Sequence, residues 1–188
     1  MFNLKVIIAS TRPGRKGPLI GSWVIELAKQ KELFDVTVLD LAIINLPFLD
    51  EPHHPMLKQY QQEHTKNWSN LINSADAFII VTPEYNYGYP APLKNALDFL
   101  YHEWSYKPVA FVSYGGIAGG TRSVQMLKQV VTAQKMMPLA EAVNIPFFMK
   151  YITEEEGFVP DDAIKKSAEI MFSELAKWAA ALQPMRKK

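Results

Sequence analysis

The chain has no cysteine. That absence removes disulfides, thiolate nucleophiles, iron–sulfur clusters and cysteine-ligated zinc. An excess of one charge is missing too: 20 Lys and Arg against 19 Asp and Glu leave a formal net charge of +1. A nucleic-acid partner, which usually calls for a strongly basic face, is therefore not expected. No apolar run is long enough to cross a bilayer, and no charged leader precedes one at the N-terminus. The expectation is a soluble, cytoplasmic protein with no membrane partner. Several motifs are also absent. There is no G-x-S-x-G, no H-E-x-x-H, no G-x-G-x-x-G and no G-x-x-x-x-G-K-[ST]. His53 and His54 sit side by side without the further ligands a metal site needs, so no metal is expected. The basic end "MRKK" reads as a solvated terminus.

Apolar residues are plentiful at 48% of 188, enough for a sizeable core in a single domain over residues 1–188. "NLKVIIA" (3–9), "FDVTVLDL" (34–41), "AFIIVT" (77–82) and "KPVAFVSY" (107–114) read as strands. A fifth, weaker strand is expected within residues 139–148. Helical stripes recur between them: Ile20, Trp23, Val24, Leu27; Leu57, Tyr60, His64, Trp68, Leu71, Ile72; Leu93, Ala96, Leu97, Leu100; Val124, Leu127, Val130, Val131. A last stripe runs from Ile164 to Leu182, after a loop "EEEGFVPDD". Strands alternating with helices predict a doubly wound α/β fold, a five-stranded parallel sheet with helices on both faces. Ligands of such sheets bind beyond the carboxyl ends of the strands. The loops after strands one, three and four are thus the candidates.

"STRPGRKGP" joins the first strand to a helix N-terminus. It carries Ser10 and Thr11 hydroxyls with Arg12, Arg15 and Lys16. Two readings stay open on the residues alone. One is a phosphomonoester site at the helix N-terminus, the other a solvated basic turn with Pro18 at the helix start. "PEYNYGYPAP" alternates Tyr85, Tyr87 and Tyr89 with Asn86, Gly88 and Pro90. Flat rings on a proline-stiffened backbone can wall a planar heterocycle, with Gly88 allowing the turn. Surface tyrosines on a tight strand-to-helix turn are the alternative. "GGIAGGTR" lets backbone amides approach a ligand, or serves as a mobile lid. Arg122 can meet a cofactor phosphate or face solvent, and solvent is the favoured reading. A phosphoacceptor receiver domain needs acidic residues where this chain has Ser-Thr-Arg and Pro-Glu-Tyr.

Residues Pro83–Asp98, "PEYNYGYPAPLKNALD", closely resemble the signature of the NADPH-dependent FMN reductase family, matching it at every defined position. "STRPGR" resembles that family's phosphate loop and "SYGG" its third contact loop. The resemblance implies a flavodoxin-like three-layer fold holding FMN. It places the phosphate on Ser10, Arg12 and the turn of Lys16, Gly17, Pro18 and Leu19. It lays Pro83, Glu84, Tyr85 and Asn86 along the isoalloxazine, largely through backbone groups, and brings Ser113, Gly115 and Gly116 to the pyrimidine end. Lys94, Asn95 and Asp98 look structural. Lys16–Gly17–Pro18 departs from the hydroxyl or amide residues that many relatives carry.

The resemblance further implies an enzyme. NADPH or NADH and then a small acceptor (a quinone, azo dye, free flavin or similar) would use one flavin face in turn, a ping-pong scheme with no catalytic side chain. It also implies a homodimer, for which Tyr101–Trp104 is the candidate contact. The competing class is an electron-transfer or redox-sensing module that holds FMN without fast NAD(P)H turnover. Electron carriers of this kind are usually strongly acidic, and this chain is near neutral.

Overall fold

The computed structural model describes residues 1–186. β1 (Phe2–Ile8) leads through α1 (Gly17–Gln30) to β2 (Phe34–Asp40) and a short α2 (Leu41–Ile44). Then come α3 (Glu63–Asn73), β3 (Ala77–Pro83), α4 (Ala91–Asp98), β4 (Pro108–Tyr114) and α5 (Thr121–Ala133). The chain closes with β5 (Met137–Pro138), β6 (Val143–Ile145), a hairpin of β7 (Ile152–Thr153) with β8 (Gly157–Phe158), and α6 (Asp162–Arg186). The main sheet runs β2-β1-β3-β4-β5, and its pairs are parallel.

Every residue of β3 and β4 is buried, which is why both read as unbroken apolar runs. Alternate residues serve opposite faces. Leu4, Val6, Ile79 and Val81 meet α1 and α6 through Ile20, Val24, Met171 and Leu175. Ile7, Phe78 and Ile80 meet α3, α4 and α5 through Trp68, Leu97 and Leu127. The result is the three-layer, flavodoxin-like architecture expected from the sequence. β1 lies between β2 and β3, so the winding reverses there and opens a crevice at the carboxyl ends.

Four local readings need correction. The fifth lane is two fragments: β5 pairs with Pro108 and Val109, and β6 with Val112 to Tyr114. Met137 and Leu139 N–H bond Lys107 O and Val109 O (3.0 Å each), so Pro138, which has no N–H, faces the open edge, where proline is tolerated. α3 starts at Glu63, not near Leu57, which sits in a separate 3-10 turn and is exposed. The loop after Tyr151 holds the β7–β8 hairpin. Arg186 of the "MRKK" end is not free in solvent: it donates to Asp76 Oδ1 (2.9 Å) and Asp76 O (2.8 Å), tying α6 to the start of β3. Lys187 and Lys188 lie outside the described residues.

Candidate functional site

The loop after β1 is organised by Arg15. Its guanidinium takes both oxygens of Asp40, at 2.6 and 2.7 Å, and also donates to Ser10 O (2.8 Å). Asp40 in turn accepts Ala42 N–H and caps α2. Arg15 therefore braces the ends of β1 and β2, leaving Arg12 and Lys16 as the loop's other basic groups at the cleft. The Ser10 side chain is buried, and its Oγ has no hydrogen-bond partner among the described residues. An unsatisfied buried hydroxyl is costly and calls for an explanation. Gly17, the first residue of α1, backs directly onto it: a Cβ there would collide with Ser10 Oγ and Tyr114 Oη. Burial pushes the Tyr114 phenol up to about 12, so it stays protonated and able to donate. A buried hydroxyl, a phenol and a positive helix end pack closely beneath this loop, with Arg12 and Lys16 on the adjoining cleft. That donor set fits a phosphate.

Two turn residues offer less than expected. Pro18 has no N–H, and Leu19 N–H already bonds Lys16 O (3.1 Å). They shape the turn without donating from the backbone.

The loop after β3 is a tight hairpin. Tyr85 and Gly88 exchange both backbone hydrogen bonds at 2.9 Å. Asn86 (φ 49°) and Tyr87 (φ 72°) take the two left-handed central positions, as in a type I′ turn. Gly88 was the residue expected to permit the turn, yet the unusual φ values fall on its neighbours. Left-handed backbone disfavours ordinary side chains by about 1–2 kcal/mol, and Asn tolerates it better than Tyr. Glu84 N–H bonds Tyr114 O (3.2 Å), so this backbone donor is spent between β3 and β4.

The glycine loop after β4 is stitched down, contrary to the lid reading. Gly115 N–H bonds Ile145 O (3.2 Å), and Phe147 N–H bonds Gly116 O (3.0 Å). Ser113 is fully buried beneath it, with Oγ 2.8 Å from Gly119 O and 2.9 Å from Asn144 Oδ1. Its one proton is committed inside the protein, so Ser113 shapes the loop and does not face the cleft. Gly120 (φ 83°) has no room for a Cβ against Ser113 and Tyr114 N. The turn into α5 therefore requires glycine.

Between these loops lies a cleft of about 270 Å³ at the carboxyl edge. Of the residues expected at the cofactor, Arg12, Lys16, Pro83, Glu84, Tyr85, Gly115 and Gly116 line it, whereas Ser10, Gly17, Pro18, Leu19 and Ser113 do not. Asn86 stands exposed at the hairpin tip, outside that lining. Tyr114, Phe148 and Met149 also line the cleft and were missed. Tyr114 stood in the strand and in "SYGG" without being assigned a contact, and Phe148 comes from a segment taken to contain a strand. Arg122 stays partly in solvent, yet it is engaged by the hairpin. Its Nε lies 2.5 Å from Glu84 Oε1, an ion pair without the alignment of a hydrogen bond, and its guanidinium stacks 3.9 Å from the Tyr87 ring centre. A larger cleft, about 570 Å³, opens around Asp76 and Lys107. Those residues stand at the amino ends of the strands, away from the switch point.

The remaining candidates are structural. Lys94 pairs with Asp98 at 2.6 Å. Asn95 clasps the 47–49 segment through Pro47 O (2.6 Å) and Leu49 N–H (3.0 Å). Glu103 and Trp104 are buried, so "YHEW" keeps only Tyr101 and His102 for any contact. His54 Nδ1 accepts Met56 N–H (3.2 Å).

The fold and this cleft define a doubly wound α/β protein suited to a phosphorylated, flat ligand. The family described as NADPH-dependent FMN reductase matches residues 2–150, and the chain belongs to that family. It is 48% identical over 145 residues to the NAD(P)H-dependent FMN reductase C4B3.06c of Schizosaccharomyces pombe, across 75% of this chain and 72% of that one. It is 35% identical over 104 residues to an NADPH:quinone oxidoreductase of Arabidopsis thaliana, across 54% and 48%. The solved structure of FerB, a flavoenzyme NAD(P)H:(acceptor) oxidoreductase from Paracoccus denitrificans, aligns with a TM-score of 0.74 at 21% identity, across 96% and 98%. That likeness is one of fold.

Proposed function

We propose that this protein is an NAD(P)H-dependent reductase that holds FMN in the carboxyl-edge cleft and reduces small acceptors of the quinone or azo class. The observation that carries the reading is the buried, unpartnered Ser10 Oγ at the N-terminus of α1, beneath a cleft walled by Tyr85 and the Gly115–Gly116 backbone. When bound, FMN supplies hydride exchange between the nicotinamide and the acceptor.

The chain's residues bind and orient. Ser10, Arg12, Lys16 and the Gly17 turn meet the phosphate, where charge-assisted bonds are strongest. Pro83, Glu84 and Tyr85 would lie along the flat ring, and Gly115 and Gly116 would meet its pyrimidine end. Tyr114 and Phe148, with ring centres 5.0 Å apart, add aromatic surface to the cleft. No side chain is assigned proton transfer, and none is needed for hydride transfer between stacked rings. Steady-state kinetics with NADPH and a soluble quinone should give parallel double-reciprocal lines, the pattern of one shared face used in turn. Intersecting lines would count against that reading.

Residues 1–188 act as one functional unit in this reading, in the cytoplasm and as a homodimer. Among the described residues no helix is long and apolar enough to cross a membrane. With Trp104 buried, the pairing face is better sought at Phe48, which is 86% exposed on the segment that Asn95 clasps. Light scattering at micromolar concentration tests it: a dimer is expected, and a monomer would remove it.

A further inference from the structure

α5 has no side-chain cap of its own, because its N-cap is Gly120. Glu84 supplies one from the loop after β3: its Oε2 accepts Arg122 N–H at 3.3 Å, while Oε1 pairs with Arg122 Nε at 2.5 Å. The Glu84 side chain is only 8% exposed, so this carboxylate is held between the two cleft walls. The other side of the same guanidinium covers the Tyr87 ring at 3.9 Å. Tyr87 is one of the two residues forced into left-handed backbone at the hairpin tip, and it is 66% exposed. One arginine thus touches the helix cap, the buried acid and the strained turn.

We infer that Arg122 is a positioning residue that locks the Tyr85–Gly88 hairpin in its left-handed turn and thereby sets the wall for the flavin ring; this rests on the functional reading above. Without the lock, an Asn-Tyr turn relaxes toward conformations that ordinary side chains prefer. The flavin ring then loses one prearranged wall, and ordering it again must come out of binding. The phosphate end is built from α1 and the loop after β1 and does not share these contacts. The lock therefore acts on the ring and not on the phosphate. Because Arg122 and Tyr87 act as a unit, their effects are not additive.

The test titrates wild type, Arg122→Gln, Tyr87→Ala, Tyr87→Phe and the Arg122→Gln/Tyr87→Ala double variant with FMN and with riboflavin, which lacks the phosphate. Amide hydrogen exchange at 85–88 is followed in the same proteins. Arg122→Gln and Tyr87→Ala should each weaken both flavins by the same factor, roughly tenfold for a cation–π contact of this kind. The double variant should be no worse than either single change, and exchange at the hairpin should quicken. Tyr87→Phe keeps the ring and should restore what Tyr87→Ala loses. Wild-type affinity in Arg122→Gln, additive losses, or a loss confined to FMN would overturn the inference. If Arg122→Gln does not fold, the exposed Tyr87 variants still decide it. A wild type that binds neither flavin would overturn the functional reading itself, an outcome distinct from a lock that does nothing.

Discussion

Arg15 grips Asp40 through two hydrogen bonds of 2.6 and 2.7 Å, with the side chains only 18% and 10% exposed. This fork ties the loop after β1 to the end of β2, and the Asp40 bond raises the Arg15 pKa further above its ordinary value. Removing the carboxylate strands a partly buried guanidinium. Asp40→Ala should lower stability by about 2 kcal/mol, the range of a hydrogen bond to a charged group. Urea unfolding measures it, and an unchanged midpoint would mean that the loop is braced elsewhere.

Ser10 behaves in the opposite way. Its hydroxyl makes no well-formed hydrogen bond, with only the Tyr114 phenol beside it, so Ser10→Ala should change the melting temperature little. FMN affinity should fall by about 1–2 kcal/mol, the loss of one charge-assisted bond, while riboflavin affinity holds. Isothermal titration with both flavins separates the two effects. Equal losses for both would move Ser10 away from the phosphate.

Arg12 lines the cleft and is exposed, with no ion-pair partner among the described residues. Arg12→Ala should leave the circular dichroism and melting curve intact and weaken FMN. An unchanged FMN affinity would take Arg12 out of the site.

Gly17→Ala adds one methyl against Ser10 Oγ and Tyr114 Oη. Overpacking of this sort costs about 1–3 kcal/mol and pushes the Ser10 hydroxyl and the turn out of place. Both a lower melting temperature and loss of FMN binding are expected. A variant with normal stability and normal FMN affinity would show that the turn moves aside.

Lys107 gives a pH signature. It is 5% exposed and donates to Ile72 O (2.8 Å) and Asn73 O (2.9 Å) at the end of α3. Burial pushes its pKa down from 10.5 to about 7. The folded state thus binds fewer protons than the unfolded state between those values, and stability rises with pH through that window. Urea unfolding at pH 7 and pH 9 should show the gain, and Lys107→Met should lose it. Equal slopes in both proteins would mean that the ammonium stays charged where it is.

The sheet was readable because strands buried on both faces leave continuous apolar runs, as Phe78–Val81 and Val109–Val112 do. The cleft's loops were readable from position: they follow β1, β3 and β4, and "PEYNYGYP" also carries a family resemblance. What escaped depends on partners distant in sequence. Nothing next to Arg122 indicates that Glu84 and Tyr87 will meet it. Asp40 looks like an ordinary strand end until Arg15 reaches it across 25 positions. The divided fifth lane is set by which short stretches reach β4, 137–138 at its start and 143–145 at its end, and no local pattern announces that. The burial of Trp104 was not legible either, because aromatic content does not distinguish a surface from a core; its Nε1 bonds Leu97 O at 3.2 Å inside the protein.

One spectrum reaches the heart of the matter. The purified protein is mixed with FMN, freed of unbound flavin, and recorded in the visible range before and after anaerobic NADPH, with NADH tried if NADPH fails. A retained flavin band that bleaches within seconds is the expected result for a reductase using the carboxyl-edge cleft. A retained flavin that neither nucleotide bleaches would mark an electron carrier or sensor, and no retained flavin would contradict the assignment of the cleft.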